Sequence, residues 1–125
     1  VKPEFVTTEW SAILAELQTT TADWARKTRA DLLQKSPMAL KASLAALRRA
    51  PALGSLEAAL DVEFRLCTHL FERGEFPEGV RALLVDKDKA PRWSPPRLEE
   101  VTPDMVDGLF APLPPDEEPG LTPKA

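Results

Sequence analysis

Cysteine, histidine and glycine are scarce in this chain of 125 residues, and each scarcity removes a class of chemistry. Cys67 is the single cysteine, so no intramolecular disulfide can form. His69 is the single histidine; with Cys67 it makes a C-x-H pair that lacks the second pair of a four-ligand zinc site. Five glycines, none of them clustered, leave little material for a phosphate cradle or an oxyanion hole built of backbone N–H groups. Neither a G-x-S-x-G elbow, a P-loop nor a dinucleotide fingerprint occurs. Asp86-Lys87-Asp88 opens like a calcium loop, but no glycine or closing glutamate follows at the required offsets, and it reads as an acidic turn. No apolar run approaches the roughly 18 residues of a membrane span. No secretory leader opens the chain. The formal charge of -4 offers no basic face for nucleic acid. Catalytic residues, a metal and a resident cofactor are therefore not expected, nor are nucleic-acid and membrane partners.

What is present is helical. With 43% hydrophobic and 29% charged residues the chain is that of an ordinary small globular domain. Thr7 and Thr8 are N-cap candidates for a first helix carrying Trp10, Ile13, Leu14 and Leu17. Thr20 and Asp23 suggest a cap for a second helix with Trp24, Ala25, Thr28 and Leu32 on one side. Ser36-Pro37 starts a third, which Pro51 stops, with Leu40, Leu44 and Leu47 directed inward. Ser55 caps the longest helix, running to about Arg73 before Gly74, with Leu56, Ala59, Leu60, Phe64, Cys67, Leu70 and Phe71 in one stripe. A short helix from Glu78 to about Asp86, an extended stretch around Pro91, Trp93, Pro95 and Pro96, and a last helix started by Thr102-Pro103 complete the series. Alternation of period two is absent, so the expected class is all-α with no sheet, over residues 1–111. Prolines and acids alternate over 112–125, which is expected to be a mobile tail.

Several side chains have two readings. Glu63 lies within the apolar stripe and reads first as a paired structural carboxylate, and second as a catalytic acid. Cys67 reads as a reduced core thiol. Trp10 and Trp24 read as core anchors, and Trp93 as a pin holding its extended segment onto the helices rather than a stacking platform. Val1 in place of a methionine, with a helix a few residues later, is how a fragment or a processed product begins.

The run E-F-P-E-G-V-R-A-L-L-V-D-K-D-K-A-P-R-W-S-P from Glu75, followed by L-E-E-V-T, resembles the C-terminal end of the 3-hydroxyisobutyryl-CoA hydrolases, a branch of the crotonase (enoyl-CoA hydratase/isomerase) superfamily. S-P-M-A-L-K from Ser36 and E-F-R-L from Glu63 resemble upstream motifs of the same branch, so the likeness covers roughly Thr7 to Leu113. E-G-V-R-A is shared with many crotonases; D-K-D, P-x-W and L-x-x-V-T favour the hydrolase branch. Pro51-Ala52-Leu53-Gly54 and the tail after Phe110 match no functional pattern.

The resemblance implies a division of labour. In crotonases a repeated ββα core supplies the N–H groups that polarise the thioester and the acidic residues that act on substrate or water; none of it is in this sequence. The C-terminal helices close the acyl-CoA site and contribute subunit contacts. Implied partners are thus the N-terminal core of the same protein, an acyl-CoA substrate and further copies in a homo-oligomer, with coenzyme A entering only as part of the substrate. Lys87 resembles a position that meets the CoA phosphates, and Lys41 is a second candidate; solvated surface lysines are the competing reading of both. The parent is expected to be a hydrolase of valine catabolism. Alternatives are an enoyl-CoA hydratase/isomerase or a non-catalytic helical interaction module. A cytoplasmic bacterial location is expected, or a mitochondrial one for a eukaryotic parent.

Overall fold

The computed structural model describes residues 10–121. Within them lie six α-helices and no strand, as the all-α expectation required. Two compact units divide the chain between Ser36 and Pro37. The first holds α1 (Trp10–Thr19) and α2 (Asp23–Leu33), which pack against each other. Ile13 and Leu17 of α1 and Ala25 of α2 are buried, whereas Trp24 is 39% exposed and is not among the buried core residues. Its neighbour Ala25 is small enough to take the inward position. The proposed Thr20 cap does not form: Ala22 occupies the N-cap, and the Thr20 hydroxyl donates back to the Glu16 carbonyl at 2.9 Å. Thr7 and Thr8 lie outside the described residues.

The second unit is built on α3 (Pro37–Arg49) and α4 (Leu56–Glu72). Proline at the start of α3 loses no hydrogen bond, since the first-turn N–H groups have no partner within the helix. Met38 and Ala42 are the buried side chains of its inner face, and Leu47, 71% exposed, points away from it. A 3-10 turn, Ala50–Ala52, follows as the proline takes over. Ser55 accepts a hydrogen bond from Ala58 N at 3.1 Å and starts α4. Gly74, at φ 88°, adopts the left-handed conformation that lets α4 end and α5 (Glu75–Val80) begin at once. α5 runs into a π-helical turn, Arg81–Val85. A 3-10 turn (Leu98–Glu100) precedes α6 (Pro103–Leu109). Thr102 caps α6, accepting from Met105 N at 3.2 Å.

Met38, Ala42, Leu66, Val101, Val106 and Leu109 form the core of this unit, with Val62, Leu70 and Phe110 packed around it. Burying side chains of this size stabilises the unit by about 1.5–3 kcal/mol each. Arg49 closes the rim, bonded to Asp107 at 2.7 Å and stacked 3.8 Å over the Phe110 ring.

The segment after α6 lies along α4. Leu113 is buried, its N–H donates to Glu118 Oε1 at 2.8 Å, and Glu118 holds Arg65 Nε through both oxygens, at 2.9 and 3.1 Å. Leu121 N donates to Asp61 Oδ1 at 3.1 Å, and the Ala111 carbonyl accepts from His69 Nε2 at 2.9 Å. Asp61, Arg65 and His69 recur every four residues and so form one row along α4. They meet Leu121, Glu118 and Ala111 in that order, so the segment runs antiparallel to the helix as a strap. Over 112–121 prolines remove helix donors, and carboxylates and backbone groups find side-chain partners on α4. Residues 122–125 lie outside the described range.

Candidate functional site

α4 carries a second row that the core does not use. Leu56, Leu60, Phe64 and Phe71 are 46–71% exposed, and Cys67 lies exposed among them. Most of the stripe read as core therefore faces outward, Leu70 alone of its large side chains packing against the core, and Cys67 is not a core thiol. The reason is a competition between rows: Val62, Leu66 and Leu70 form a parallel apolar row, and that one meets α3 and α6. Glu63 is exposed rather than buried, so it needs no internal partner; the buried acids of the unit are Asp61 and Glu75. Phe64, Cys67, Thr68, Phe71 and Glu72 line a shallow groove on this outer face. Phe71 stacks in tilted fashion on Phe76, with ring centroids 6.1 Å apart, and Leu83, Leu84 and Val85 add three consecutive exposed apolar side chains on the π-helical turn.

The first residue of that turn, Arg81, is the centre of a network. Its guanidinium pairs with Glu78 through Nε–Oε1 and NH2–Oε2 contacts, both 2.7 Å. Its NH1 reaches Asp86 Oδ2 and Asp88 Oδ2, both at 2.8 Å. The acids in turn hold the backbone: Asp88 accepts from Ala90 N at 3.0 Å, Glu78 from Arg92 N at 2.7 Å, and Glu75 from Ser94 N at 3.2 Å. Arg81 and the Arg92 amide draw the Glu78 carboxyl down to about 2. Arg81, followed by the Ala90 amide, likewise holds Asp88 below its ordinary value, and the three carboxylates raise Arg81 above its own. Trp93 packs its indole on the Cα of Gly79, where an added Cβ would lie 3.3 Å from the ring, so the tryptophan does pin the extended stretch to α5.

Lys87 sits at the apex of the clamped turn, exposed and left-handed at φ 56°, and Lys89 repeats the conformation at φ 54°. Neither ammonium has a carboxylate partner among the described residues, because the aspartates flanking Lys87 are engaged by Arg81. Lys41 is elsewhere: its ammonium, half-buried, donates to the Val101 carbonyl at 3.0 Å and ties α3 to the start of α6. The structure thus separates the two lysine candidates. The Arg81 network was not singled out in the sequence, although its signal, one arginine with acids at -3, +5 and +7, is there to read. Among the described residues, no three His, Cys, Asp or Glu side chains gather as metal ligands, and no helix is long and apolar enough to cross a membrane.

The E-G-V-R-A-L-L-V-D-K-D segment thus builds a clamped turn, and the helices around it reproduce a known arrangement. The sequence pattern of the enoyl-CoA hydratase/isomerase family matches residues 1–110, and the chain belongs to that family. Its fold is similar to that of a carnitinyl-CoA dehydratase from Mycobacterium thermoresistibile, with a TM-score of 0.80 at 34% identity over 89% of this chain and 32% of that one. Among curated relatives, a mitochondrial 3-hydroxyisobutyryl-CoA hydrolase of Dictyostelium discoideum is 40% identical over 92 residues, 74% of this chain and 24% of its own. The Gallus gallus mitochondrial protein of the same name is 39% identical over 101 residues, 81% and 26% respectively. The small ribosomal subunit protein mS47 of Arabidopsis thaliana is 42% identical over 93 residues, 72% and 22% respectively. The chain spans about a quarter of the length of these curated relatives.

Proposed function

We propose that this chain is the C-terminal helical segment of a longer acyl-CoA thioester hydrolase of the 3-hydroxyisobutyryl-CoA type, acting in valine catabolism. In this reading the segment closes the acyl-CoA site and supports assembly of a homo-oligomer, while the missing core stabilises the oxyanion that forms on the thioester. The observation that carries it is the outer row of α4, continued by Phe76 through its ring contact with Phe71. An apolar surface this continuous is costly to leave in water, on the order of 1 kcal/mol for each half-exposed side chain. The remaining three quarters of a relative-sized protein would supply the cover. Lys87 is the proposed CoA phosphate contact, and coenzyme A enters only as part of the substrate. A bacterial parent would work in the cytoplasm and a eukaryotic one in mitochondria.

The hydrolase names of the relatives favour thioester hydrolysis over hydration of a double bond. Assays of the full-length protein separate the two: free CoA should accumulate from 3-hydroxyisobutyryl-CoA, and hydration of an enoyl-CoA without CoA release would overturn the hydrolase reading. A second reading, a non-catalytic interaction module, is favoured by the relative named as a ribosomal protein. It requires a full-length protein with neither activity.

A further inference from the structure

Resting on the reading of Lys87 as a phosphate contact, we infer that Arg81 is a positioning residue for it, and that Lys89 is a second ammonium presented by the same turn.

The D-K-D sequence poses an electrostatic problem. A lysine between two aspartates faces carboxylates a few ångströms away, which would pair with it and repel an incoming phosphate. In the structure both carboxylates turn to Arg81 NH1, at 2.8 Å each, which leaves Lys87 without an acidic partner among the described residues. The backbone on which the lysines stand is held by main-chain bonds and, through its acid partners, by the Arg81 side chain. The Asp86 N–H donates to the Arg81 carbonyl at 2.8 Å and the Lys89 N–H to the Ala82 carbonyl at 2.9 Å, so the turn closes on the π-helical segment. Through Asp88 and Glu78 the same guanidinium immobilises the Ala90 and Arg92 amides.

Left-handed backbone is unfavourable for lysine, and the chain adopts it twice within three residues, at Lys87 and Lys89. The four charge-assisted hydrogen bonds to Arg81 supply the constraint that holds this shape. A lysine ammonium on a free turn loses conformational entropy when it meets phosphate; one on a clamped turn loses less. Arg81 therefore serves binding in two ways, by taking up the negative charge beside Lys87 and by fixing the turn, without touching the substrate itself.

The test is steady-state kinetics of the full-length enzyme with an acyl-CoA and with the matching acyl-pantetheine ester, which lacks the nucleotide phosphates. Lys87→Ala, Lys89→Ala and Arg81→Met should each raise KM for the CoA ester, about tenfold for Lys87→Ala and Arg81→Met and less for Lys89→Ala, with kcat within about twofold. KM for the pantetheine ester should not move. Adding Arg81→Met to Lys87→Ala should cost much less than the two single effects together. Glu78→Gln, which keeps the Arg81 pairs with Asp86 and Asp88 and leaves their charge taken up, provides a milder loosening should Arg81→Met fail to fold, and should raise KM for the CoA ester alone. If Lys87→Ala raises KM while Arg81→Met and Glu78→Gln leave it unchanged, the positioning role is overturned and the Lys87 reading stands. If Lys87→Ala has no effect, the phosphate-contact reading falls, and the inference with it. An equal rise in KM for both esters would mark Arg81 as a general structural residue and would also overturn the inference.

Discussion

Two rows of side chains on α4 have nearly the same composition and opposite fates. Val62, Leu66 and Leu70 turn toward α3 and α6 and join the core, whereas Leu56, Leu60, Phe64 and Phe71 stand in water. Between them, Asp61, Arg65 and His69 form a polar row that receives the strap of residues 111–121. The outer row has the larger side chains, yet it is the one left over. Hydrophobicity alone does not choose the buried face of a helix; the partners available do. A face richer in Leu and Phe than the core-facing one and left exposed is the surface that the proposed docking would cover.

The comparison breaks first at the inner row. Leu66→Ala should destabilise the chain by about 2–5 kcal/mol, read from urea unfolding, because the cavity lies among Met38, Val106 and Leu109. A loss no larger than that of an outer-row substitution would mean that the inner row is not the core. Next in size is Gly79→Ala, where the new methyl meets Trp93 at 3.3 Å. It should cost on the order of 1 kcal/mol and shift the Trp93 fluorescence as the indole is displaced. An unchanged spectrum and midpoint would show that the extended stretch is held without that contact.

Acid should loosen the clamp and the strap while leaving the apolar rows intact. Glu78 is held at about 2, below its ordinary 4.5. Its contribution is therefore complete above pH 4.5 and is lost as pH falls from there through about 2. Glu118, lowered by Arg65 and the Leu113 amide, follows the same sign, so the strap should also weaken on the acid side. NMR titration of the Arg92 and Leu113 amides would follow each: resonances that move only above pH 5 would contradict the assignment. The smallest effect on stability is expected at the outer row. Phe64→Ser should leave the unfolding midpoint within about 0.5 kcal/mol of the original while reducing self-association in analytical ultracentrifugation. A chain that is a clean monomer before substitution, binding no hydrophobic dye, would remove the evidence for a docking face.

Much of the architecture was legible because it is written in local chemistry. Ser55 and Thr102 cap helices where their positions suggest, Gly74 separates α4 from α5, and period-two alternation is absent where no strand forms. What failed was nonlocal. The amphipathic pattern of α4 contains two apolar rows, and periodicity cannot say which of them meets α3 and α6. The strap's contacts were not legible because their partners Asp61, Arg65 and His69 lie some 40 to 60 residues away, spaced by four on another helix. At the candidate site, the pinning contact of Trp93 was legible through its flanking prolines. Arg81 was not, since its three acid partners converge only once the π-helical turn brings Asp86 and Asp88 back over Glu78. Lys41 and Arg65, within the upstream motifs, carry structural bonds to Val101 and Glu118.

Cys67, the single thiol of this chain, lies in the middle of the outer row and reports directly on whether that row is covered. The decisive measurement is its alkylation rate, followed by mass spectrometry of the peptide that contains it, in this chain at high dilution and in the full-length protein. If the outer face of α4 docks against the rest of a longer enzyme, the thiol should react readily in the isolated chain and be protected by an order of magnitude or more in the full-length protein. Equal rates in the two would contradict the docking account.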